Sequence, residues 1–231
     1  MSAPPPPNEP PVDPPTGPAD LGHPDEDHPD LVRLAAARPS RVARIISEAT
    51  DPALVVAAVT TYVAVRSAGG WLAGLGWAAL AVLFCVALPY GVLFVLLRGG
   101  VVADRHVVRR EQRLWPSITA VVSVLIGLGL LDLLGAPWPL LILVLSQLAG
   151  LVAISLVTLR SKASLHTAVA AGAACVVAIL QGGWWWALAV LAAAVVGWAR
   201  VRGGRHSRAQ VIAGLVIGAV TTIAVFAPLA T

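Results

Sequence analysis

Between residues 51 and 228 the chain repeats one pattern seven times: a long apolar run, then a short polar break. The runs lie at 51–68, 71–97, 117–135, 138–159, 164–181, 184–200 and 209–228. A bilayer core about 30 Å thick needs about 20 helical residues, roughly 17–25 in practice. Backbone groups in lipid find no water, so a spanning segment is a helix or part of a closed barrel. Run length and the lack of apolar–polar alternation select helices. Composition agrees: 58% of residues are hydrophobic and 12% charged, against about 45–50% and about 25% in a soluble domain. The expected fold is all-α, a polytopic transmembrane helical bundle of six or seven spans. The count turns on whether the first run, interrupted near its end by Arg66, crosses. Residues 51–231 form this domain.

Two segments precede the bundle. Residues 1–29 are rich in Pro, Asp, Glu and Gly; they cannot build a core and are expected to be a disordered tail. His23, Asp25, Glu26, Asp27 and His28 sit there between prolines and read as a solvated acidic patch rather than a metal site. With a polar start, no cleavable signal peptide is expected. Residues 30–50 place Arg33, Arg38, Arg41 and Arg44 among Leu, Val and Ile, the pattern of an amphipathic interfacial helix broken or kinked at Pro39. Cys85 and Cys175 fall inside apolar runs without metal-ligand spacing and read as small packing residues. Gly214 and Gly218 have the small-xxx-small spacing of closely packed membrane helices.

Seven spans place the tail and the loops 98–116, 160–163 and 201–208 on one side. Of 16 Lys and Arg residues, only Arg66 falls on the other. The positive-inside rule then predicts a multi-pass cell-membrane protein with a cytoplasmic N-terminus and cytoplasmic loops. Trp71, Trp115, Trp138, Trp184, Trp185, Trp186 and Trp198 mark the run ends. The basic residues lie between membrane runs, so nucleic acid is not expected as a partner.

Three polar patches occupy the basic side: Asp104–Pro116, Arg160–His166 and Trp198–Gly214. Each holds one histidine, His106, His166 and His206, the side chain best suited to proton transfer or attack near neutral pH. The plainer reading of all three is arginine-rich loops that fix topology and touch anionic lipid. For the second patch, Ser164 is a good N-cap, and the amides after it can hold an anion; an ordinary cap with an interfacial histidine is equally consistent. For the third, Ser207-Arg-Ala-Gln210 reads as a capping box, which accounts for Gln210 structurally.

The spacings resemble the type 2 phosphatidic acid phosphatase superfamily of membrane lipid phosphatases. Its signatures are Lys, six residues, Arg-Pro; then Pro-Ser-Gly-His; then Ser-Arg, five residues, His, three residues, Asp. Here the third appears as Ala199-Arg200, five residues, His206, three residues, Gln210. The second is Ala163-Ser164-Leu165-His166, and the first, looser, is His106, six residues, Arg113-Leu114. The resemblance covers roughly 98–228. Histidine stands for lysine, leucine for the proline and for the glycine, and Gln210 for the final Asp. A carboxylate there would orient the histidine and stabilise its imidazolium; an amide supplies orientation alone.

The resemblance implies a lipid-phosphate phosphatase. His206 would attack phosphorus, and His166 would protonate the leaving group and then activate water. Arg200, Ser164 and Arg113, with His106 in the lysine's place, would bind the phosphoryl oxygens, and Gln210 would orient His206. No cofactor and no metal are implied. The substrate would be a prenyl phosphate or diphosphate, or phosphatidic acid. Two alternatives stand: a non-catalytic relative that binds anionic lipid, and an intramembrane prenyltransferase using Asp104 and Glu111 to hold Mg²⁺.

Overall fold

In a computed structural model of the protein, residues 40–98 and 110–230 are described, without the side chains of Leu96, Leu97, residues 110–114 and Ala230. Among the described residues all regular structure is helical: α1 (Arg41–Ala49), α2 (Pro52–Ser67), α3 (Trp71–Val82), α4 (Leu88–Arg98), α5 (Arg110–Leu133), α6 (Trp138–Arg160), α7 (Leu165–Gln181), α8 (Trp185–Arg202) and α9 (Arg208–Ala230). A π-helical turn, Leu83–Ala87, joins α3 to α4 as one rod. The tail, with His23 and His28, and the loop with Asp104 and His106 lie outside the described residues.

All seven apolar runs are helical, and the chain is a membrane protein. Five segments are long and apolar enough to cross a bilayer: Trp71–Val95, Trp115–Leu133, Trp138–Arg160, Trp185–Arg202 and Arg208–Leu229. The other two, α2 and α7, have 16 and 17 residues, about 24 and 26 Å at 1.5 Å per residue. They fall just short of the hydrocarbon thickness. One boundary differs from the sequence expectation. The run starting at 117 begins as a helix at Arg110, and Pro116 lies inside it. Proline there removes a single intrahelical donor without ending the helix.

α6 is the central rod. Leu140, Leu141, Ile142, Leu143 and Val144 are all buried in succession, so this stretch is enclosed on every side rather than along one stripe. Val63 and Ala64 of α2, Leu131 of α5 and Phe226 of α9 belong to the same core. The π-turn has a local cause. Pro89 has no N–H for the carbonyl of Cys85 four residues back, and its ring would crowd that carbonyl. The widened turn accommodates the ring, and Ser123 Oγ donates to Phe84 O at 2.7 Å. Gln147 Nε2 donates to Thr60 Oγ1 at 3.1 Å and ties α6 to α2 inside the bundle.

The two ends of the bundle are pinned differently. At one end Trp138 Nε1 donates to Leu229 O at 3.1 Å. At the other, α7 and α9 cross at very close range. A Cβ on Gly214 would meet Thr167 Oγ1 and the Ser164 carbonyl oxygen, and one on Gly218 would meet the Ala168 backbone. The missing side chains let Thr167 Oγ1 donate within 3.0 Å of Ser164 O and 3.2 Å of Val211 O. α1 packs across this second end against α8. Its Ala43 is fully buried, while Val42 and Ile45 are 56% and 61% exposed.

Candidate active site

His206 is fixed by two local devices on either side of it. α8 stops in a Schellman motif: Gly204 has φ +64°, Arg205 N donates to Arg200 O at 3.2 Å, and Gly204 N donates to Val201 O at 3.1 Å. Only a residue free of Cβ penalty takes that φ easily, which explains Gly204. α9 then starts in a capping box. Gln210 N donates to Ser207 Oγ and Ser207 N donates to Gln210 Oε1, both at 3.3 Å. His206 is therefore held between a helix stop and a helix start two residues apart.

Gln210 does a second thing. Its Oε1 lies 3.1 Å from His206 Nδ1. The Ser207 amide can only donate, so the atom it faces is the amide oxygen and not the nitrogen. The same oxygen must then accept from His206, which places the ring proton on Nδ1 and leaves Nε2 with its lone pair free. One oxygen of Gln210 thus closes the capping box and contacts the His206 ring.

The second patch is stitched to the third through the backbone, with Ser164 N donating to Gln210 O at 3.1 Å. Ser164 occupies the N-cap position of α7, but its side chain makes no cap hydrogen bond. The expected ordinary serine cap is absent. Instead Ser164 Oγ is fully buried and has no partner, and Arg200 Nε is buried without a partner as well. An unpaired buried polar atom is costly, of order 1–3 kcal/mol, and such atoms cluster where a ligand completes the set.

His166 and Arg200 line one open cavity of about 910 Å³. The same wall carries Arg44, Glu48, Asp51, Tyr90 and Arg205. His206 and Ser164 are not on that wall, yet the charges of His206, His166 and Arg200 act on one another. Burial pushes the His206 imidazole below its ordinary value of 6.5; the Gln210 hydrogen bond opposes this, and Arg200, Lys162 and Arg205 add to it. His206 is accordingly neutral near pH 7, the form that can attack. A second cavity of about 210 Å³ runs into the bundle, walled mainly by apolar residues such as Val56, Val86, Val124 and Leu143. Tyr90 and Leu165 belong to both walls.

The structure thus gathers His166, His206, Arg200, Ser164 and Gln210 at one end of the bundle. Arg113 is in α5, but its side chain is outside the described residues, as are His106, Asp104 and the Glu111 side chain. Among the described residues no three His, Cys, Asp or Glu side chains are grouped to hold a metal. Asp51, Glu48 and Tyr90 lie outside the signatures, and Arg44 reads from sequence only as part of an interfacial helix. Parity of the spans was the usable signal, since Asp51 opens the first run from the same side as the three loops.

Residues 153–229 match the model of the PAP2 superfamily. That stretch holds the second and third signatures with α7, α8 and α9, and it supports membership as a divergent PAP2-type protein. The match, which covers about a third of the chain, points to phosphatase-type activity on phosphate esters. No curated protein and no solved structure matches the chain.

Proposed function

We propose, with PAP2-type membership as the premise, that the chain is a lipid-phosphate phosphatase that works through a phosphohistidine. The observation that carries this is the junction of two cavities. A polar one bears His166 and three arginines, Arg44, Arg200 and Arg205, and an apolar one shares Tyr90 and Leu165 with it. An amphiphile with a phosphate head fits such a pair. Prenyl phosphates, prenyl diphosphates and phosphatidic acid all have that form.

In the first step Nε2 of His206 attacks phosphorus, the P–O bond to the lipid breaks, and His166 gives its proton to the departing oxygen. In the second, His166 takes a proton from water, the water oxygen attacks phosphorus, and the P–N bond breaks to free phosphate and restore His206. Attack puts positive charge on the ring, and Gln210 Oε1 holds the Nδ1 proton throughout. Arg200 and Ser164 receive the phosphoryl oxygens and satisfy their own unpaired atoms in doing so, with Arg113 and His106 as the further ligands. Guanidinium and hydroxyl donors suit phosphoryl transfer, which depends on positioning and charge neutralisation. The site end faces the cytoplasm of a cell membrane in this reading.

The test is phosphate release from phosphatidic acid and from a prenyl phosphate in mixed micelles, by the purified full chain. Release is expected, and it is lost in His206→Ala and in His166→Ala. Undiminished release in both variants would overturn the assignment. One observation favours a second reading, a lipid binder without turnover: a neutral Gln210 stands where the family signature has a carboxylate. Retained lipid binding with no release by the wild-type chain would select it.

A further inference from the structure

Asp51 brings a carboxylate to the site from outside all three signatures. It is the N-cap of α2: Oδ1 accepts from Ala53 N at 2.9 Å, and Pro52 follows at the first helical position. It also lines the large cavity together with His166 and Arg200, and its charge acts on both. Burial, the largest influence, together with the charges of Arg200, His206 and Arg205 holds His166 well below its ordinary value of 6.5, at about 4, and Asp51 opposes them. The other groups around that cavity are Arg44 and Glu48 on α1 and Tyr90 on α4. Glu48 lies 4.0 Å from Arg44 with its side chain 72% exposed, so its charge is spent on a solvated pair. Among the described residues Asp51 is left as the carboxylate that answers the basic groups around His166.

A cap alone does not explain the residue. Asn and Ser cap about as well as Asp, whereas only Asp brings negative charge to a wall built from arginines and a histidine. We propose that Asp51 is a positioning residue for His166 and Arg200, holding His166 ready to carry the proton it must deliver to the leaving oxygen. Charge that the third signature lacks at Gln210 is supplied from α2, to the other histidine. This rests on the phosphatase reading for its purpose, but not for its test.

Asp51→Asn keeps the cap hydrogen bond and removes the charge, and Asp51→Ser does so with a shorter side chain. The full chain is labelled with ¹³C-histidine, and the His166 resonance is assigned by its loss in His166→Gln. The expected result is a lower His166 titration midpoint in both variants, the direction that loss of an opposite charge gives. The pH–rate limb that follows proton delivery shifts by the same amount on phosphatidic acid micelles, with thermal stability unchanged. An unmoved His166 midpoint in Asp51→Asn or Asp51→Ser overturns the proposal. A wild-type chain that releases no phosphate overturns the phosphatase reading instead, while the titration still reports on Asp51.

Discussion

Gln210→Glu changes one neutral atom into a charged one at nearly constant shape. The two donors that converge on Gln210 Oε1 are His206 Nδ1 at 3.1 Å and Ser207 N at 3.3 Å. A carboxylate accepts from both, so the capping box and the ring orientation survive. What changes is the charge beside the ring. An opposite charge at this range raises a histidine by roughly 1–3 pH units. His206 starts below its ordinary value through burial and through Arg200, Lys162 and Arg205, so the carboxylate returns it toward or above 6.5. The acid limb of turnover moves up accordingly. Attack on phosphorus makes the ring cationic, and the added carboxylate stabilises that state by about 1–2 kcal/mol once solvent screening is allowed for. At about 1.4 kcal/mol per factor of ten, turnover above the limb rises roughly 5- to 30-fold. Gln210→Ala removes the acceptor altogether and costs roughly 10-fold or more in turnover, with about 1 kcal/mol of stability from the lost box. Both are read by phosphate release from phosphatidic acid micelles over pH 4.5–8.5. A Gln210→Glu protein with an unmoved acid limb, or with turnover as low as Gln210→Ala, would refute the assignment of Gln210 as the orienting acceptor of an attacking His206.

Four further outcomes follow from the same geometry. The wild-type acid limb lies below the ordinary histidine value of 6.5, because burial and three cations hold His206 down; the neutral form is present above that limb and lost as pH falls through it. The His206 contribution to stability has the same sign, complete above the unfolded value and lost on acidification, which thermal denaturation in detergent at several pH values checks. Gly214→Val drives a side chain into Thr167 and the Ser164 carbonyl and costs about 1–3 kcal/mol with loss of activity, whereas Gly129→Ala, with nothing within 4 Å of the new Cβ, leaves the melting temperature in place. Ser123→Ala leaves the Phe84 carbonyl unpaired within the bundle and lowers stability by about 1–2 kcal/mol without changing the pH profile.

Much of this architecture could be read from the chain because bilayer physics leaves few choices. Run length gave the helices, and small residues at Gly214 and Gly218 gave the closest crossing. The Gly203-Gly204 stop and the Ser207–Gln210 start are equally local, so the placing of His206 was legible too. Other features depend on what meets in space. Asp51 reads locally as a helix cap, and nothing in its neighbours reveals that α7 and α8 bring His166 and Arg200 to the same cavity. Ser164 reads as a cap for the same reason, although its hydroxyl is buried and unpaired. Pro116 misled in the other direction: proline usually ends a helix, but its cost is one hydrogen bond, which a 24-residue helix absorbs. The π-turn at Leu83–Ala87 needed both Pro89 and a distant Ser123 to make sense.

The claim everything rests on is that His206 carries the phosphoryl group. The direct measurement is acid-free quenching of the full chain with ³²P-labelled phosphatidic acid, followed by peptide mapping. The account expects an acid-labile, alkali-stable label on the wild-type chain that maps to His206 and is absent from His206→Ala. No label on the wild-type chain, or a label that persists in His206→Ala, would contradict it.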